Sequence, residues 1–367
     1  MTFILCILAT ASWGGLALFW HRFWQVDQRL SLTPPELADY PSVTAIVPAR
    51  NESQTIKTCI TNLQNQTYQG RFSIIVTDDA STDDTGDILK SLQSDELTVV
   101  SGKTLPHGWA GKMWALHQAI KAAEANPAHS TSEYYWLTDA DISHRPEVLD
   151  TLVAHAQTNK LALVSQMVRL RCQTFWEKLL VPAFIFYFSL IYPFRAINSP
   201  ASSIAGAAGG SILIRRDALK DIGGITALKD AVIDDCTLGK LVKQSGRNIW
   251  LGFAERSHSL RGYDQLADFW QMVQRSAYTQ LHFSPVLLLV AVLGLAFSHV
   301  MPLVILCWPA LAITVFIYWP TVRFYGLSPF WALTLPIAGG LFGAMTISSA
   351  LAHHLGWSNK WRDREIG

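Results

Sequence analysis

Three groups of carboxylates carry most of the chemistry this sequence can offer. The first is Asp78-Asp79, in the run TDDASTDD at 77–84, directly after the β-branched stretch 72–77. Acidic side chains at the carboxyl edge of a strand, followed by small polar residues that turn the chain and cap a helix, can accept hydrogen bonds from a nucleobase and its ribose. Upstream, VPARNE at 47–52 ends another strand, and Glu52 can line the same crevice. An ordinary strand-to-helix turn is the competing explanation of each. The second group is Asp139-Ala140-Asp141, which follows the strand-like YYWLT at 134–138. Two carboxylates spaced by one small residue can jointly approach a divalent cation and the diphosphate it bridges, and hard oxygen ligands suit Mg²⁺ or Mn²⁺. The third, Asp234-Asp235, precedes the helical run 236–242. It is either a helix N-cap or a general base that takes an acceptor hydroxyl's proton while a metal stabilises a departing diphosphate.

Neighbouring residues extend the set. GAAGGS at 206–211 offers backbone without bulky side chains, where a sugar can lie close, although a plain turn explains the same glycines. Lys112 stands at the start of a helix in WAGKMW (109–114), where the positive end of the helix dipole favours phosphate. Arg275 lies just before a long apolar block and can bind diphosphate or snorkel. The pattern GxxxxGK[ST] is absent, which argues against an ATPase.

These residues need a scaffold that gathers strand ends. Between 42 and 263 short β-branched runs alternate with helical stretches, the signature of an α/β domain with a mainly parallel sheet flanked by helices. Strands are expected at 43–47, 72–77, 97–100 and 134–138, and helices at 52–64, 84–92 and 113–125. Around this domain the chain is apolar. Residues 2–20 read as a retained membrane anchor rather than a signal peptide, because the basic residues Arg22 and Arg29 follow the apolar run; the N-terminus is expected outside and the arginines inside. The stretch 175–197 is divided by Pro182 and Pro193, which suits an interfacial helix pair or a buried core helix better than a span. From 284 to 355 hydrophobicity dominates, with breaks at 299–302 and 321–329, so two helices are expected in 285–319 and one in 330–351. Three crossings would leave Lys360, Arg362 and Arg364 outside, against the positive-inside tendency, so one of the three is expected to be re-entrant or interfacial.

Composition narrows the function. The 367 residues carry a formal net charge of +1 with 16% charged residues, so nothing points to a polyanion-binding surface and nucleic acid is a poor partner. Fourteen Trp and a hydrophobic fraction of 50% suit a bilayer partner. The five cysteines are scattered without C-x-x-C spacing, so neither a disulfide framework nor a zinc site is expected; they read as small buried hydrophobes in a reducing compartment. Transport would need charges inside the spans, and His299, His353 and His354 are the only candidates.

Taken together, the strand end VPARNE, the DDxSxD turn, the DxD, the later acidic pair and Arg275 resemble the family 2 glycosyltransferases of the GT-A kind. Within them, LPHGWAGKMWA at 105–115 and YPFR at 192–195 are similar to bacterial hopene-associated glycosyltransferases and, more distantly, to ceramide glucosyltransferases. The resemblance implies an N-terminal transmembrane anchor at 1–24, a GT-A nucleotide-sugar-binding domain at 42–283 with 175–197 as an interfacial segment, and C-terminal transmembrane helices at 284–355. It implies Asp79, with Asp78 and Glu52, at the nucleotide, Asp139 and Asp141 on metal and diphosphate, and Asp235, beside Asp234, as the base of an inverting transfer. Lys112 and Arg275 join the donor-binding set. The expected donor is a UDP-sugar, the acceptor a membrane lipid, possible hopanoids among them, and the setting a bacterial inner membrane with the catalytic domain facing the cytoplasm. The family's final QxxRW departs here: Met272 holds the Gln position and Ser276 the Trp position, which disfavours polymer synthesis. The alternative is a membrane-bound scaffold that binds nucleotide-sugar without turnover.

Overall fold

The computed structural model describes residues 2–92, 94–126 and 131–356, and the backbone alone of 360–361 and 364–365. The basic tail 357–364 therefore lies outside the described side chains. The chain forms two compact units, each assembled from separate stretches. A sheet unit takes Gln28–Leu170, Ile197–Arg261 and Lys360–Gly367, and a helical unit takes Met1–Asp27, Arg171–Ala196 and Gly262–Asn359.

In the sheet unit the strands are β1 (Val43–Ala49), β2 (Phe72–Asp78), β3 (Leu97–Ser101), β4 (Tyr134–Thr138), β5 (Ile142–His144), β6 (Leu163–Arg169), β7 (Ser211–Arg215) and β8 (Ile249–Ser259). Their spatial order is β3-β2-β1-β4-β7-β6-β8-β5. The half made of β3, β2, β1 and β4 is parallel throughout, as expected. β7 runs antiparallel to both β4 and β6, so the sheet as a whole is mixed. Alternating strands and helices cannot reveal such a reversal. β1 is buried at every position, and so are the helices Ile56–Gln64 and Val148–Thr158 on their apolar sides, so β1 reads as a continuous apolar run rather than an alternating one. The first helix starts at Ile56, not 52, because the Glu52 and Ser53 N–H groups donate to Thr85 Oγ1 (2.8 Å) and Asp83 Oδ2 (3.1 Å) before the helical turn begins.

In the helical unit the first helix is Thr2–Phe19. The helix Phe175–Ile191 runs straight through Pro182, correcting the expected division there; only Pro193 follows its end. Its start is fixed by a capping box between Thr174 and Glu177, and Leu180, Val181, Ala183, Ile185 and Phe186 are buried, which favours a core helix. The expected break at 299–302 is instead a π-helical turn, Ala296–Val300, joining Pro285–Leu295 to Met301–Val304. The chain turns just afterwards, and Cys307 caps the helix Trp308–Phe324. The helix Leu335–His354 packs antiparallel to Pro285–Val304. A Cβ on Gly339 would meet His299, one on Gly343 would meet Leu295, and His353 stacks on Phe283 at 4.5 Å. The end of this last helix thus returns beside the start of Pro285–Leu295. Cys6 and Cys307 form a disulfide, which overturns the expectation that all five cysteines are isolated hydrophobes. They lie 301 residues apart, beyond the reach of any spacing rule. Among the described residues, four helical stretches are long and apolar enough to cross a membrane: Thr2–Phe19, Phe175–Ile197, Pro285–Val304 and Pro329–His354.

Candidate active site

All of the carboxylates singled out by the sequence lie in the sheet unit, at the carboxyl ends of β1, β2 and β4 and at the start of the helix Asp234–Gln244. The loops after β1 and β2 are laced together. Asn51 and Ala80, both in the left-handed region (φ 51° and 52°), bring the two turns face to face. Asn51 donates its N–H to Ser81 Oγ (3.0 Å), and its Oδ1 accepts from the Thr82 N–H (2.8 Å). Asp78 is used in the turn, its Oδ1 accepting from the Ser81 N–H at 3.1 Å. Asp79 is fully buried at the strand end, its N–H donating to Ala49 O. Gly102, at the end of β3, is what leaves room for it: a Cβ there would sit 2.7 Å from Asp79 Cα and from Asp78 O. Both are backbone atoms and cannot swing aside. Gly102→Ala is therefore expected to push the Asp78-Asp79 turn out of place, costing about 1–3 kcal/mol as overpacking does. Calorimetric titration with UDP should show weaker binding, and thermal melting a lower midpoint.

Asp139 and Asp141 leave the end of β4 on either side of Ala140. Each faces a cation. Lys112 Nζ lies 2.9 Å from Asp139 Oδ1 and 3.3 Å from Asp234 Oδ2, joining the second and third acidic groups. Arg261 donates from Nε to Asp141 Oδ2 (2.8 Å) and from Nη2 to Glu52 Oε1 (3.0 Å), joining the first and second. Burial pushes the Asp141 pKa up to about 6, against the pull of Arg261. Burial also raises Glu52, again opposed by Arg261. For Lys112 burial disfavours the charge, and Asp139 and Asp234 overcome it, so its pKa lies above the ordinary lysine value.

Asp235 accepts a backbone hydrogen bond on each oxygen, from Gly209 N–H (2.8 Å) and from Cys236 N–H (2.7 Å). Burial and then the adjacent Asp234 raise its pKa to about 6, opposed by Lys112. In the glycine run a Cβ on Gly209 would make only ordinary contact with Asp235 Oδ2 and Lys112 Nζ, at 3.4 Å, whereas one on Gly210 would meet Val168 Cγ2 at 2.8 Å. Lys112, Asp139, Asp234 and Asp235 line one open cleft together with Pro48, Thr138, Ile212 and Leu238. Arg275 falls in the helical unit, within Leu266–Gln280, and so outside the unit that holds the carboxylates.

Two residues in this unit were not anticipated. Arg261 follows β8 in no recognisable motif, and only the fold shows it at Asp141 and Glu52. His144 is buried between Thr138 Oγ1 and Ser257 Oγ, both 2.8 Å away, and fixes the residue that precedes Asp139. Burial lowers its pKa to about 3, so it serves as a neutral hydrogen-bonding post.

The acidic pair of β4 fits a divalent ion in part. Among the described residues no group of three His, Cys, Asp or Glu forms a complete cage. Magnesium and its analogues take one or two carboxylates and complete their octahedron with water and substrate phosphate, which is the share Asp139 and Asp141 can supply.

Comparison with known proteins agrees with this architecture. Residues 44–223 match the family model described as Glycosyl transferase family 2. Among curated proteins, the chain is 25% identical over 258 residues to a beta-monoglucosyldiacylglycerol synthase of Nostoc sp. (strain PCC 7120), with 64% of this chain and 52% of that protein aligned. The corresponding protein of Trichormus variabilis is 24% identical over the same share. The chain thus spans about half the length of the curated relatives it matches. Among solved structures, the mannosyltransferase PcManGT from Pyrobaculum calidifontis, determined with GDP-Man and Mn²⁺, superposes with a TM-score of 0.58 at 20% identity, covering 97% of this chain and 100% of that one. The fold is GT-A-like, with a mixed sheet where a mainly parallel one was expected.

Proposed function

We propose that the chain is an inverting glycosyltransferase that moves one sugar from a nucleotide-sugar, a UDP-sugar, to a lipid acceptor at a membrane. The observation that carries this reading is Lys112, whose ammonium joins Asp139 of the metal-type pair to Asp234 beside Asp235, so that donor and base groups share one cleft. Asp79 and Glu52 are both buried at the strand ends where a nucleoside would rest. Asp139 and Asp141 would hold a divalent ion, which when bound neutralises the diphosphate as it departs. Asp235, held by two backbone N–H groups, takes the proton of the acceptor hydroxyl, and a carboxylate with a pKa near 6 is a competent base at neutral pH. Attack from the face opposite the diphosphate inverts the anomeric carbon. Lys112, kept protonated by Asp139 and Asp234, would meet the leaving phosphates as a cation.

The membrane reading rests on the helical unit. Phe3 (75% exposed), Phe19 (83%), Val304 (74%) and Trp308 (69%) present apolar surface far beyond what a soluble monomer shows. We place it in a bacterial inner membrane with the sheet unit on the cytoplasmic side. For the acceptor, the resemblance within the family favours a hopanoid-related lipid, and the names of the curated relatives favour diacylglycerol. Incubating purified, detergent-solubilised protein with UDP-glucose, Mn²⁺ and each lipid class, followed by mass spectrometry of the lipid fraction, decides between them. A hexose added to one class is the expected result. Nucleotide-sugar binding without glycosylation of any lipid would establish the silent scaffold instead.

A further inference from the structure

The Cys6–Cys307 bond and the distribution of charge in the helical unit both distinguish one end of that unit from the other. The helices Thr2–Phe19 and Trp308–Phe324 run side by side in the same direction. They are bonded where they begin, with Cα atoms 5.4 Å apart. Further along, Trp24, folded back so that its indole N–H reaches Ala17 O at 2.9 Å, meets Phe316 at 5.3 Å. Phe186 then touches both Phe23 (5.3 Å) and Tyr318 (5.4 Å), so the far ends of the two helices also lie level. The stretch Pro285–Val304 runs the other way, with Trp13 against His299 at 5.1 Å and its indole N–H on Ser298 O at 2.8 Å. At a rise of about 1.5 Å per residue, Cys6 is about 20 Å from Phe19, and Cys307 about 25 Å from Phe324. The disulfide is therefore separated by most of a hydrocarbon thickness from the end at which the first helix hands the chain on toward the sheet unit.

Charge follows the same axis. Residues 1–21 and 276–322 contain no Lys, Arg, Asp or Glu; of the charges that bound them, Arg22 and Arg323 stand at the end opposite the disulfide, and Arg275 lies one turn before Tyr278, which packs on His353 and His354. Cationic residues concentrate on the cytoplasmic side of a bilayer. Disulfides persist in the oxidising compartment and are reduced in the cytosol.

The structure assigns Cys6 and Cys307 as an oxidative modification site on the extracytoplasmic face, a covalent staple that ties the first helix to the Trp308–Phe324 helix and marks the membrane orientation of the chain. This rests on the membrane reading above. In the closing step the two thiols release two protons and two electrons as the sulfur–sulfur bond forms, and the disulfide of an extracytoplasmic thiol oxidant is reduced to a dithiol. Cys307, 2% exposed, is then shielded from small reductants. Cys59, Cys172 and Cys236 remain thiols.

Cells producing the full chain are quenched in acid, and the protein is denatured and treated with polyethylene-glycol maleimide with and without prior reduction. Three modifications without reductant and five with it are expected; five in both would overturn the bond. Orientation is read separately with Thr2→Cys in a Cys6→Ser, Cys307→Ser background, since Thr2 is exposed at the start of the first helix. Labelling by a membrane-impermeant maleimide in intact spheroplasts is expected, and labelling only after permeabilisation would overturn the assignment. Alkaline carbonate extraction keeps the two readings apart: a chain washed from the membrane fails the membrane reading itself, whereas a retained chain with five free thiols fails only the staple.

Discussion

Asp235→Asn is expected to lower sugar transfer by about 10²- to 10⁴-fold, the range of a lost general base, while calorimetry shows the nucleotide still bound. The amide can accept only one of the two backbone hydrogen bonds that Asp235 now takes from Gly209 and Cys236, so a loss of about 1 kcal/mol of stability accompanies the change. Thermal melting should therefore show a small shift beside a very large kinetic one. Unchanged turnover would remove Asp235 from the chemistry. In the unaltered protein the same residue sets the pH dependence. A base works only when ionised, and this carboxyl keeps its proton up to about pH 6 because burial and Asp234 outweigh Lys112. kcat/KM should then climb as pH rises through about 6 and level off above it.

Lys112→Met has the second large effect, and its signature is threefold. Transfer should fall by about 10²-fold or more, as when a preorganised donor is removed from a departing oxyanion. The acidic limb of the pH profile should move to higher pH, because the cation opposing the elevated pKa of Asp235 is gone. Mn²⁺ alone, titrated without nucleotide, should bind more tightly than to the unaltered protein, since Asp139 no longer shares an oxygen with an ammonium 2.9 Å away. A loss of activity with neither of the other two changes would point to a purely structural role for Lys112.

Asp79, Asp139, Asp141, Asp234 and Asp235 could be picked out in the sequence because each stands where a strand ends or a helix begins, and such ends carry local marks: a β-branched run before, small polar residues after. Lys112 was found in the same way, at the first turn of Gly111–Ala125, although its observed partners are carboxylates rather than phosphate. What local pattern cannot express is pairing across the chain. Arg261 meets a carboxylate 120 residues away, and His144 meets Ser257 over 113. The antiparallel β7 was hidden for a related reason, because it enters the sheet after the chain has passed through the helical unit. Pro182 misled in the opposite direction. A proline usually ends a helix, but this one is buried among Leu179, Leu180, Val181 and Ala183, whose packing sustains the helix past it.

The interleaving of the two units limits how the protein can be cut. The chain passes between them at 27–28, 170–171, 196–197, 261–262 and 359–360. A fragment running from 28 to 261 would hold every carboxylate of the cleft, yet it would also carry Arg171–Ala196, whose apolar helix would then lack Trp13, Phe23 and Tyr318, against which its Phe186 now packs. Simple terminal trimming therefore yields an aggregating fragment, and a water-soluble catalytic piece requires excising that internal stretch and bridging the gap with a polar linker.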